Sequence, residues 1–367
     1  MNKSDNLPHQ LLYKGRGASS NIVGRFDQLQ REQLDDGWGA LDEYLPPLRT
    51  HVATDATRTA ITYNNSPDLP FDRSINPYRG CEHGCIYCYA RPSHAYLGFS
   101  PGLDFESRLL MKPEAAQLLR KELAKPTYRC APIALGMNTD AYQPIEREYH
   151  ITRSVLEVLA ECRHPFSLVT KSSLVERDLD IIGPMAAQGL AAVFISITTL
   201  DRTLARHMEP RAAAPERRLE TLRRLNAAGV PTGVMVAPVI PALNDSEMER
   251  ILEATSEAGA CSAAYVLLRL PRELVSLFEE WLRMHYPLKA EHVLSLMRQS
   301  HGGKEYESAF HTRMRGQGLF AEMIAKRFRL ACQRLGLNRS STRLECAHFR
   351  APTPPDKTAR TPQMSLF

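Results

Sequence analysis

The stretch that decides the fold is Arg79–Tyr89, which reads Arg-Gly-Cys-Glu-His-Gly-Cys-Ile-Tyr-Cys-Tyr. Its cysteines, Cys81, Cys85 and Cys88, have the spacing C-x3-C-x2-C on one short loop. Three thiolates on such a loop can bind three irons of a cubane cluster and leave the fourth iron without a protein ligand. Structural iron–sulfur and zinc sites normally close their shell with a fourth residue, so this spacing predicts chemistry rather than a structural staple.

A zinc site is the alternative interpretation of this loop. Structural zinc usually needs a second ligand pair at a regular distance, and the chain has no second C-x2-C. His83 could be a fourth ligand, but it lies between the first two cysteines, where the loop has little slack. Three chance buried cysteines fit less well still, because buried cysteines do not usually cluster at loop spacing beside glycines.

With Tyr87 directly before the third cysteine, the loop resembles that of the radical S-adenosylmethionine (SAM) superfamily. The resemblance implies that Cys81, Cys85 and Cys88 bind a 4Fe–4S cluster and that SAM binds the open iron through its amino and carboxylate groups. It also implies an activity: the reduced cluster cleaves SAM to methionine and a 5′-deoxyadenosyl radical, which takes a hydrogen atom from a substrate. A reductase, flavodoxin or ferredoxin is then the expected electron donor.

The composition sets limits on the class of protein. The chain has 367 residues, of which 43% are hydrophobic, and this suits one large domain with appendages or two domains. The other cysteines are widely scattered, which predicts reduced thiols in a cytoplasmic protein rather than a disulfide framework. The first residues lack the apolar core of a signal peptide, and no stretch approaches the length of a membrane span.

The net charge of +5 is weak evidence for a nucleic-acid partner. The basic surplus is concentrated in residues 271–367, which hold 16 Lys and Arg against 9 Asp and Glu. An ordinary solvated surface is the alternative explanation, so both interpretations stay open at this point.

The middle of the chain alternates between apolar β-type runs and amphipathic helical stretches. About six strand–helix repeats predict a parallel sheet with right-handed crossovers, fewer than the eight of a complete barrel. The predicted fold class is therefore α/β, a partial (β/α)6 barrel, which is also the fold that the resemblance implies. The predicted strands are 75–77, 133–137, 167–170, 192–197, 233–238 and 265–268, and the predicted helices are 113–123, 147–160, 175–188, 215–228 and 246–258.

Four regions are expected along the chain. They are an irregular N-terminal extension (1–70), the radical SAM core (71–270), a helical C-terminal region (271–350) and a disordered Pro/Thr-rich tail (351–367). In the extension, a short helix is predicted at Arg25–Asp35, and the basic stretch Lys14–Ala18 is interpreted as a surface strap or a phosphate contact. Apolar residues at helical spacing in Leu319–Leu335 predict a core-packed helix that ends at Gly336.

A polar cluster, Asn138-Thr139-Asp140 with Glu146 nearby, follows the second predicted strand. Carbonyl, hydroxyl and carboxylate oxygens are the acceptors that an ammonium group needs. The resemblance implies that Asn138, Thr139 and Asp140 lie near the amino group of SAM. An Asx-type turn followed by a helix cap is the alternative for the same residues.

Lys171 and Ser196 follow or end later strands, and Ser196 faces the barrel interior if its apolar neighbours face the helices. With the segments around Glu209-Pro-Arg211 and Ala237-Pro, these motifs resemble the spore photoproduct lyase branch over about residues 75–250. The resemblance implies that Lys171 and Ser196 hold the SAM carboxylate and ribose. It further implies that the Tyr87 backbone and the strand around Ala237 contact the adenine, and that Glu209 and Arg211 are cofactor-binding residues.

The chain departs from this branch at one position. A cysteine that returns a hydrogen atom to the product radical is expected just before the Thr/Ser-Asp pair, and here Met137 and Asn138 stand in that place. A thioether cannot donate a hydrogen atom as a thiol does. Cys130 and Cys346 are the candidate donors, with a structural role as the alternative for both. Thymine-dimer reversal is therefore not expected, whereas chemistry on another nucleic-acid lesion or modification is.

The last residues, Gln363–Phe367, read Gln-Met-Ser-Leu-Phe and resemble the bacterial sliding-clamp-binding peptide. Apolar anchors on a flexible tether suit a groove on a partner protein. Three hypotheses follow for the whole chain: a radical SAM enzyme acting on nucleic acid, one acting on a protein or small molecule, and a non-catalytic iron–sulfur or zinc module.

Overall fold

The computed structural model describes residues 14–26, 48–304, 306–339 and 343–352. About half of the N-terminal extension and most of the predicted helix at Arg25–Asp35 lie outside the described residues, and so does the peptide Gln363–Phe367. In chain order the strands are β1 His51–Thr54, β2 Ile61–Tyr63, β3 Arg73–Ile75, β4 Tyr78–Arg79, β5 Arg108–Met111, β6 Ile133–Leu135, β7 Phe166–Thr170, β8 Ala191–Ser196, β9 Thr232–Val239 and β10 Ser262–Leu267.

The helices follow the strands in the alternation that the sequence predicts. They are α1 Asp104–Ser107, α2 Ala115–Leu123, α3 Glu146–Tyr149, α4 Ile151–Glu161, α5 Leu179–Ala186, α6 Arg202–Met208, α7 Pro215–Ala227, α8 Met248–Glu257, α9 Leu274–His285, α10 Ala290–Ser300 and α11 Gly318–Leu335. Short 3-10 helices cover Arg91–Leu97, Ser173–Asp178, Asp245–Glu247 and Pro287–Lys289.

The main sheet has seven strands in the order β10-β9-β8-β7-β6-β3-β2. The strands from β3 to β10 in this order pair in parallel, and β2 pairs antiparallel with β3. Within the described residues β10 and β2 remain unpaired edges, so the sheet is an open barrel. The predicted partial (β/α)6 fold is confirmed. The sequence did not predict the antiparallel strand β2 or the separate three-stranded sheet β1-β5-β4.

β6 and β8 are buried on both faces, as expected for a parallel sheet covered by helices. β7 and β10 alternate between buried and half-buried residues. Representative residues from four strands, Leu135, Leu168, Val193 and Val234, have no exposed surface. No helix of the described residues is both long and apolar enough to cross a membrane.

Two predicted helices are each divided. The prediction over 147–160 becomes α3 and α4, because His150 between them has a left-handed φ of 52°. The prediction over 175–188 begins as a 3-10 helix at Ser173 and becomes α-helical at Leu179. The first predicted strand, 75–77, lies instead at Arg73–Ile75, because the side chain of Asn76 turns to accept the backbone N–H of Asn138.

Helix α11 begins and ends close to the predicted positions, and Gly336 closes it with a left-handed φ of 72°. Its buried face is narrower than predicted, with Ile324 and Phe328 buried but Leu319 87% and Met323 42% exposed. The reason is that α11 packs on α8, α10 and β10 with one side only. The prediction that Leu319 and Met323 belong to the core is therefore wrong.

A segment of the C-terminal region crosses the open side of the barrel. The carbonyl of Met314 accepts the backbone N–H of Leu267 on edge strand β10, at 2.9 Å. One residue earlier, Arg313 donates to the carboxylate of Asp68, at 2.6 Å, and His311 donates its backbone N–H to the same carboxylate. Because Asp68 lies just after edge strand β2, residues 306–316 link the two edges, and we call them the edge strap.

We expect the Asp68–Arg313 ion pair to hold the edge strap closed. In Asp68→Asn or Arg313→Gln, the amide hydrogens of the edge strap and of Leu267 should exchange several-fold faster than in the unmodified protein. The charge swap that combines Asp68→Arg with Arg313→Asp should restore part of the protection. Unchanged exchange in both single variants, measured by mass spectrometry, would show that the ion pair does not hold the strap.

Candidate active site

The cysteine loop, Cys81–Cys88, follows the carboxyl end of β3 as a series of tight turns. Gly80 and Gly84 have left-handed φ values of 75° and 66°, which allow the chain to reverse within a few residues. Backbone hydrogen bonds fix the loop from outside: Cys81 donates to Phe105, and Ile86 donates to Met208. Cys81 and Cys85 are buried, whereas Cys88 is partly exposed.

A buried ion pair supports the back of the cysteine loop. Arg91, with no exposed surface, donates to the carbonyls of Gly84 at 3.1 Å and Cys85 at 2.9 Å. Its guanidinium also contacts the carboxylate of Glu106, which is equally buried. The loop carbonyls are therefore bound from behind, and the conformation of the loop depends on Arg91 and Glu106.

Residues 14–26, which we call the N-terminal strap, pack directly on the cysteine loop. The backbone N–H groups of Gly17 and Ala18 both donate to the Glu106 carboxylate, each at 2.9 Å. A Cβ atom on Gly17 would lie 1.8 Å from the carbonyl oxygen of Gly84, so this close approach requires glycine. Lys14–Ala18 was interpreted either as a surface strap or as a phosphate contact. The segment lies across the cysteine loop as a strap does, but Gly17 and Ala18 are buried in the site and not at the surface.

The N-terminal strap is also anchored to a distant part of the chain. The hydroxyls of Ser19 and Ser20 donate to the two carboxylate oxygens of Glu280, both at 2.8 Å. Glu280 lies on α9, so residues at the start of the chain join the cysteine loop to the C-terminal region.

Asp140 joins three elements at the rim of the barrel. Its carboxylate accepts from the Thr170 hydroxyl at 2.7 Å and from the backbone N–H of Lys171 at 2.8 Å, both at the end of β7. His83 of the cysteine loop lies 3.2 Å away. Burial raises the pKa of Asp140, but His83 and these hydrogen bonds outweigh it and hold the pKa at about 2. Asp140 is therefore an ionised link between the loop and the sheet.

Thr139 and Asn138, the neighbours of Asp140 in the predicted amino-group site, make contacts that differ from those of Asp140. The Thr139 hydroxyl donates to the buried carbonyl of Tyr78 at 2.7 Å. Asn138 is exposed, and its side chain makes no hydrogen bond to another residue that the structure describes. Of the three residues, Asn138 thus has the side chain that is free to meet a ligand.

Glu209 is the centre of a second buried polar cluster. Its carboxylate accepts from the hydroxyls of Tyr87 and Thr198 and from the guanidinium of Arg218. Burial raises the pKa of Glu209, but Arg218 and Lys171, followed by these hydroxyls, reverse the effect and lower it to about 2. Glu209 and Arg218 thus form a buried ion pair, which is joined to the cysteine loop through the Tyr87 hydroxyl.

Lys171 lies between the two carboxylates, with its Nζ 5.7 Å from the centre of the Tyr87 ring. Burial lowers the pKa of Lys171, but Cys85 and Glu209 outweigh burial and leave the pKa raised. Lys171 is therefore a cation, and its side chain is half-buried at the rim. On the next strands, the Ser196 hydroxyl donates to the carbonyl of Ala237 at 3.5 Å.

Arg211 is held at the other side of the loop. Its guanidinium lies 2.9 Å from the carboxylate of Glu82, and its backbone N–H donates to the carbonyl of His83. The structure thus gathers the predicted cofactor-binding residues around the cysteine loop and the carboxyl ends of β6 to β9: Tyr87, Asn138, Thr139, Asp140, Lys171, Ser196, Glu209, Arg211 and Ala237.

Cys130 and Cys346 are not brought to this rim. Cys130 precedes the start of β6, and Cys346 lies beside Gly189, which precedes β8 and accepts the backbone N–H of Glu345. Both cysteines are therefore at the amino ends of the strands. Burial, and then the neighbouring Cys346, raises the pKa of Cys130 to about 12. The two thiols lie close to each other, with the length of the sheet between them and the cysteine loop.

Several residues of the site escaped the sequence reasoning. No motif marks Arg91, Glu106 and Arg218 as supports of the loop. Glu106 contacts Gly17, 89 positions away, whereas Arg91 and Arg218 contact Cys85 and Glu209, which are 6 and 9 positions away. The pattern Gly-Arg-Gly at Gly15–Gly17 was a usable signal, since glycine often marks a close approach of two backbones.

The residues present fit an iron–sulfur cluster. Burial raises the pKa of the Cys81 thiol well above its usual value and that of Cys85 to about 12, so a bound cation is needed to hold them as thiolates. Among the described residues no group of three or more His, Cys, Asp or Glu side chains converges as ligands of a single metal ion would. Each cysteine of a cubane binds a different iron, which requires wider separation of the sulfur atoms.

An open parallel barrel with a three-thiol loop, an ammonium group and two carboxylates at one rim is an arrangement suited to hold a cofactor. Residues 75–255 match the family model of the radical SAM superfamily. This part of the chain is therefore a radical SAM domain, as the cysteine loop predicts.

Two relatives and one solved structure are similar to much of the chain. An uncharacterized protein of Mycobacterium tuberculosis (strain ATCC 25618 / H37Rv) is 39% identical over 61% of this chain, and the match spans 66% of that relative, just under two thirds. An uncharacterized protein of Methanocaldococcus jannaschii is 28% identical over 58% of this chain and 76% of its own length. A spore photoproduct lyase complexed with dinucleoside spore photoproduct has a TM-score of 0.54 at 17% identity, covering 78% of this chain and 80% of the lyase. At that identity the likeness shows the fold alone.

We expect Glu106→Gln to destabilise the cysteine loop. The change leaves Arg91 buried without a charged partner, and such a loss typically costs about 3–5 kcal/mol of the free energy of unfolding. Urea denaturation should show this loss, and anaerobic reconstitution should give less iron per chain. Glu114→Gln, at an exposed position, is the matched control. Equal stability and iron content in the two variants would contradict the supporting role of Glu106.

The ionised Glu209 should make stability depend on pH in the acid range. Its pKa is about 2 in the fold against 4.5 as the ordinary value, so its contribution is present above pH 4.5 and is lost as the pH falls towards 2. The difference corresponds to about 3 kcal/mol. The free energy of unfolding of the metal-free protein should therefore fall less steeply over this pH range in Glu209→Gln. Parallel pH profiles for the two proteins would refute the assignment.

Proposed function

We propose that the chain is a radical SAM enzyme that acts on nucleic acid. The observation that supports it is the three-thiol loop at the carboxyl rim of the parallel sheet, with Lys171 and Asp140 beside it. Cys81, Cys85 and Cys88 would hold a 4Fe–4S cluster. When bound, this cluster supplies the electron for reductive cleavage of SAM to methionine and a 5′-deoxyadenosyl radical.

The surrounding residues have the chemistry that SAM needs. Lys171, a half-buried cation, suits the SAM carboxylate, and the free side chain of Asn138 offers an oxygen to the amino group. Ser196 and Ala237 lie side by side on β8 and β9, where a ribose and an adenine would bind. The hydrogen-bonded cluster of Tyr87, Glu209 and Arg218 is buried next to them, and Arg218 also donates to the carbonyl of Ser196 at 2.9 Å.

Nucleic acid is the substrate class that we favour. It is supported by the basic surplus of residues 271–367 and by the likeness of the fold to a lyase bound to a dinucleoside lesion. Met137 in place of the expected cysteine favours a modification or a lesion other than a thymine dimer. A flavodoxin, ferredoxin or reductase would deliver the electron near Cys88, which is the partly exposed cysteine of the loop.

The reconstituted and dithionite-reduced protein should cleave SAM to 5′-deoxyadenosine, measured by liquid chromatography under anaerobic conditions. Cys85→Ala should abolish cleavage, and Lys171→Met should raise the KM for SAM by about tenfold or more, because a charge-assisted contact is lost. Cys261→Ala is the matched control, since this cysteine is exposed and lies away from the rim. Equal cleavage by Cys85→Ala and the control would refute the proposal.

The substrate class has its own test. Deuterated single-stranded and double-stranded oligonucleotides should transfer deuterium into 5′-deoxyadenosine, and the labelled position names the atom that is attacked. Deuterium transfer from protein or small-molecule candidates, with none from any nucleic acid, would refute the nucleic-acid substrate. The proposed radical chemistry would still hold.

A further inference from the structure

Three exposed aromatic side chains lie on segments that leave the cysteine loop or pack beside it. Tyr89, Tyr96 and Phe26 are 43%, 67% and 54% exposed, large fractions for aromatic rings. Each contacts an arginine, and the first of them directly follows Cys88. Their position next to the reactive rim makes this surface the natural candidate for substrate contact.

The contact nearest the rim is between Tyr89 and Arg269. The guanidinium carbon of Arg269 lies 4.4 Å from the centre of the Tyr89 ring. The Tyr89 hydroxyl donates to the carbonyl of Met137, so the ring is fixed at the end of β6. Arg269 follows β10 and has no ion-pair partner among the residues that the structure describes. Its positive charge is therefore available to a ligand.

The second contact is formed by the rings of Phe26 and Tyr96 with the guanidinium of Arg25. The rings of Phe26 and Tyr96 lie 5.2 Å apart, and the guanidinium carbon of Arg25 is 4.8 Å and 4.7 Å from their centres. Glu273 holds Arg25 through both carboxylate oxygens, at 2.9 Å and 3.0 Å. Because Arg25 is fixed, the two rings are held in place with a face open to solvent.

The two contacts are connected through a pair of adjacent segments. Residues 89–96 and 269–273 meet at one end through Tyr89 and Arg269 and at the other through Tyr96 and Arg272. Arg25, and then Arg272, lowers the pKa of the Tyr96 hydroxyl, which places the guanidinium of Arg272 beside it. Residues Arg91–Leu97 form a 3-10 helix, so Arg91 and Tyr96 are about 10 Å apart at about 2 Å per residue, and Tyr89 lies just before this helix.

We propose that these residues form a binding track for single-stranded nucleic acid that leads to the reactive rim. The aromatic track comprises Tyr89, Tyr96 and Phe26 with Arg269, Arg272 and Arg25. Unpaired bases stack on aromatic faces, and arginines neutralise the negative charge of the phosphates between the bases. Since Arg25 is neutralised by Glu273, Arg269 and Arg272 supply the net charge. A duplex keeps its bases inside the helix and cannot use such rings. The inference rests on the proposed function and names the form of its substrate.

The test is equilibrium binding of the full chain to fluorescein-labelled oligonucleotides of about 12 nucleotides, within the usual site size of about 4–16. Fluorescence anisotropy is measured without SAM, using oligo-dT, oligo-rU and a DNA duplex of the same length. Tyr96→Ala and Phe26→Ala should each weaken binding of the single strands by about fivefold or more, whereas Tyr96→Phe keeps the ring and the affinity.

Tyr63→Ala is the matched control. Tyr63 is 59% exposed and contacts Arg73 at 5.3 Å, but it lies on edge strand β2, away from the track. Its loss should leave binding unchanged. Arg272→Gln should lower the slope of log affinity against log salt by about 0.7, the value for one phosphate contact on a single strand.

The outcomes separate this inference from the proposed function. Binding of single strands that depends on Tyr96 and Phe26 but not on Tyr63 supports the track. The track is overturned if its variants bind single strands as tightly as the unmodified protein does, or if polyglutamate competes for the protein as well as an unlabelled oligonucleotide does. In either case, deuterium transfer from nucleic acid would still support the proposed function. If the unmodified protein binds no nucleic acid in any of the three forms, both the track and the nucleic-acid substrate are refuted, and SAM cleavage stands alone.

Discussion

The buried Glu106 carboxylate is the interaction on which the site depends. It accepts two backbone N–H groups of the N-terminal strap and one guanidinium of Arg91, and Arg91 in turn binds two carbonyls of the cysteine loop. One negative charge therefore orients a strap and a loop that are about 65 residues apart in sequence. Burying such a charge is costly unless every acceptor site is filled, which is the case here.

Two further carboxylates, Asp140 and Glu209, organise the rim in the same manner. Asp140 binds the backbone of Lys171, and Glu209 attracts its ammonium group, so the lysine is held from both sides. Because Thr139 and Asp140 are engaged within the protein, they shape the site from beneath, and Asn138 and Lys171 remain to meet a ligand. The same residues thus serve both the fold and the binding of a cofactor.

The sequence was informative where the signal was local. The fold class was predicted by the spacing of the cysteines and by the alternation of strands and helices. The polar residues at strand ends predicted side chains that do lie around the cysteine loop. It failed where partners are distant in the chain. Glu106 accepts from Gly17 across 89 positions, which no local pattern indicates, and Leu319 obeys a core periodicity although no described element buries it. Cys130 and Cys346 were chosen by chemistry alone, and chemistry does not say at which end of a strand a residue lies.

The anchorage of the N-terminal strap has a consequence for biosynthesis. Ser19 and Glu280 are separated by 261 positions in the chain, yet together they complete the support of a loop made near residue 81. A nascent chain on the ribosome therefore displays all three cysteines, and the Glu106 that binds Gly17 and Ala18, long before α9 can anchor Ser19 and Ser20. The last support of the loop becomes available only when residue 280 has emerged, well after its three thiols have appeared.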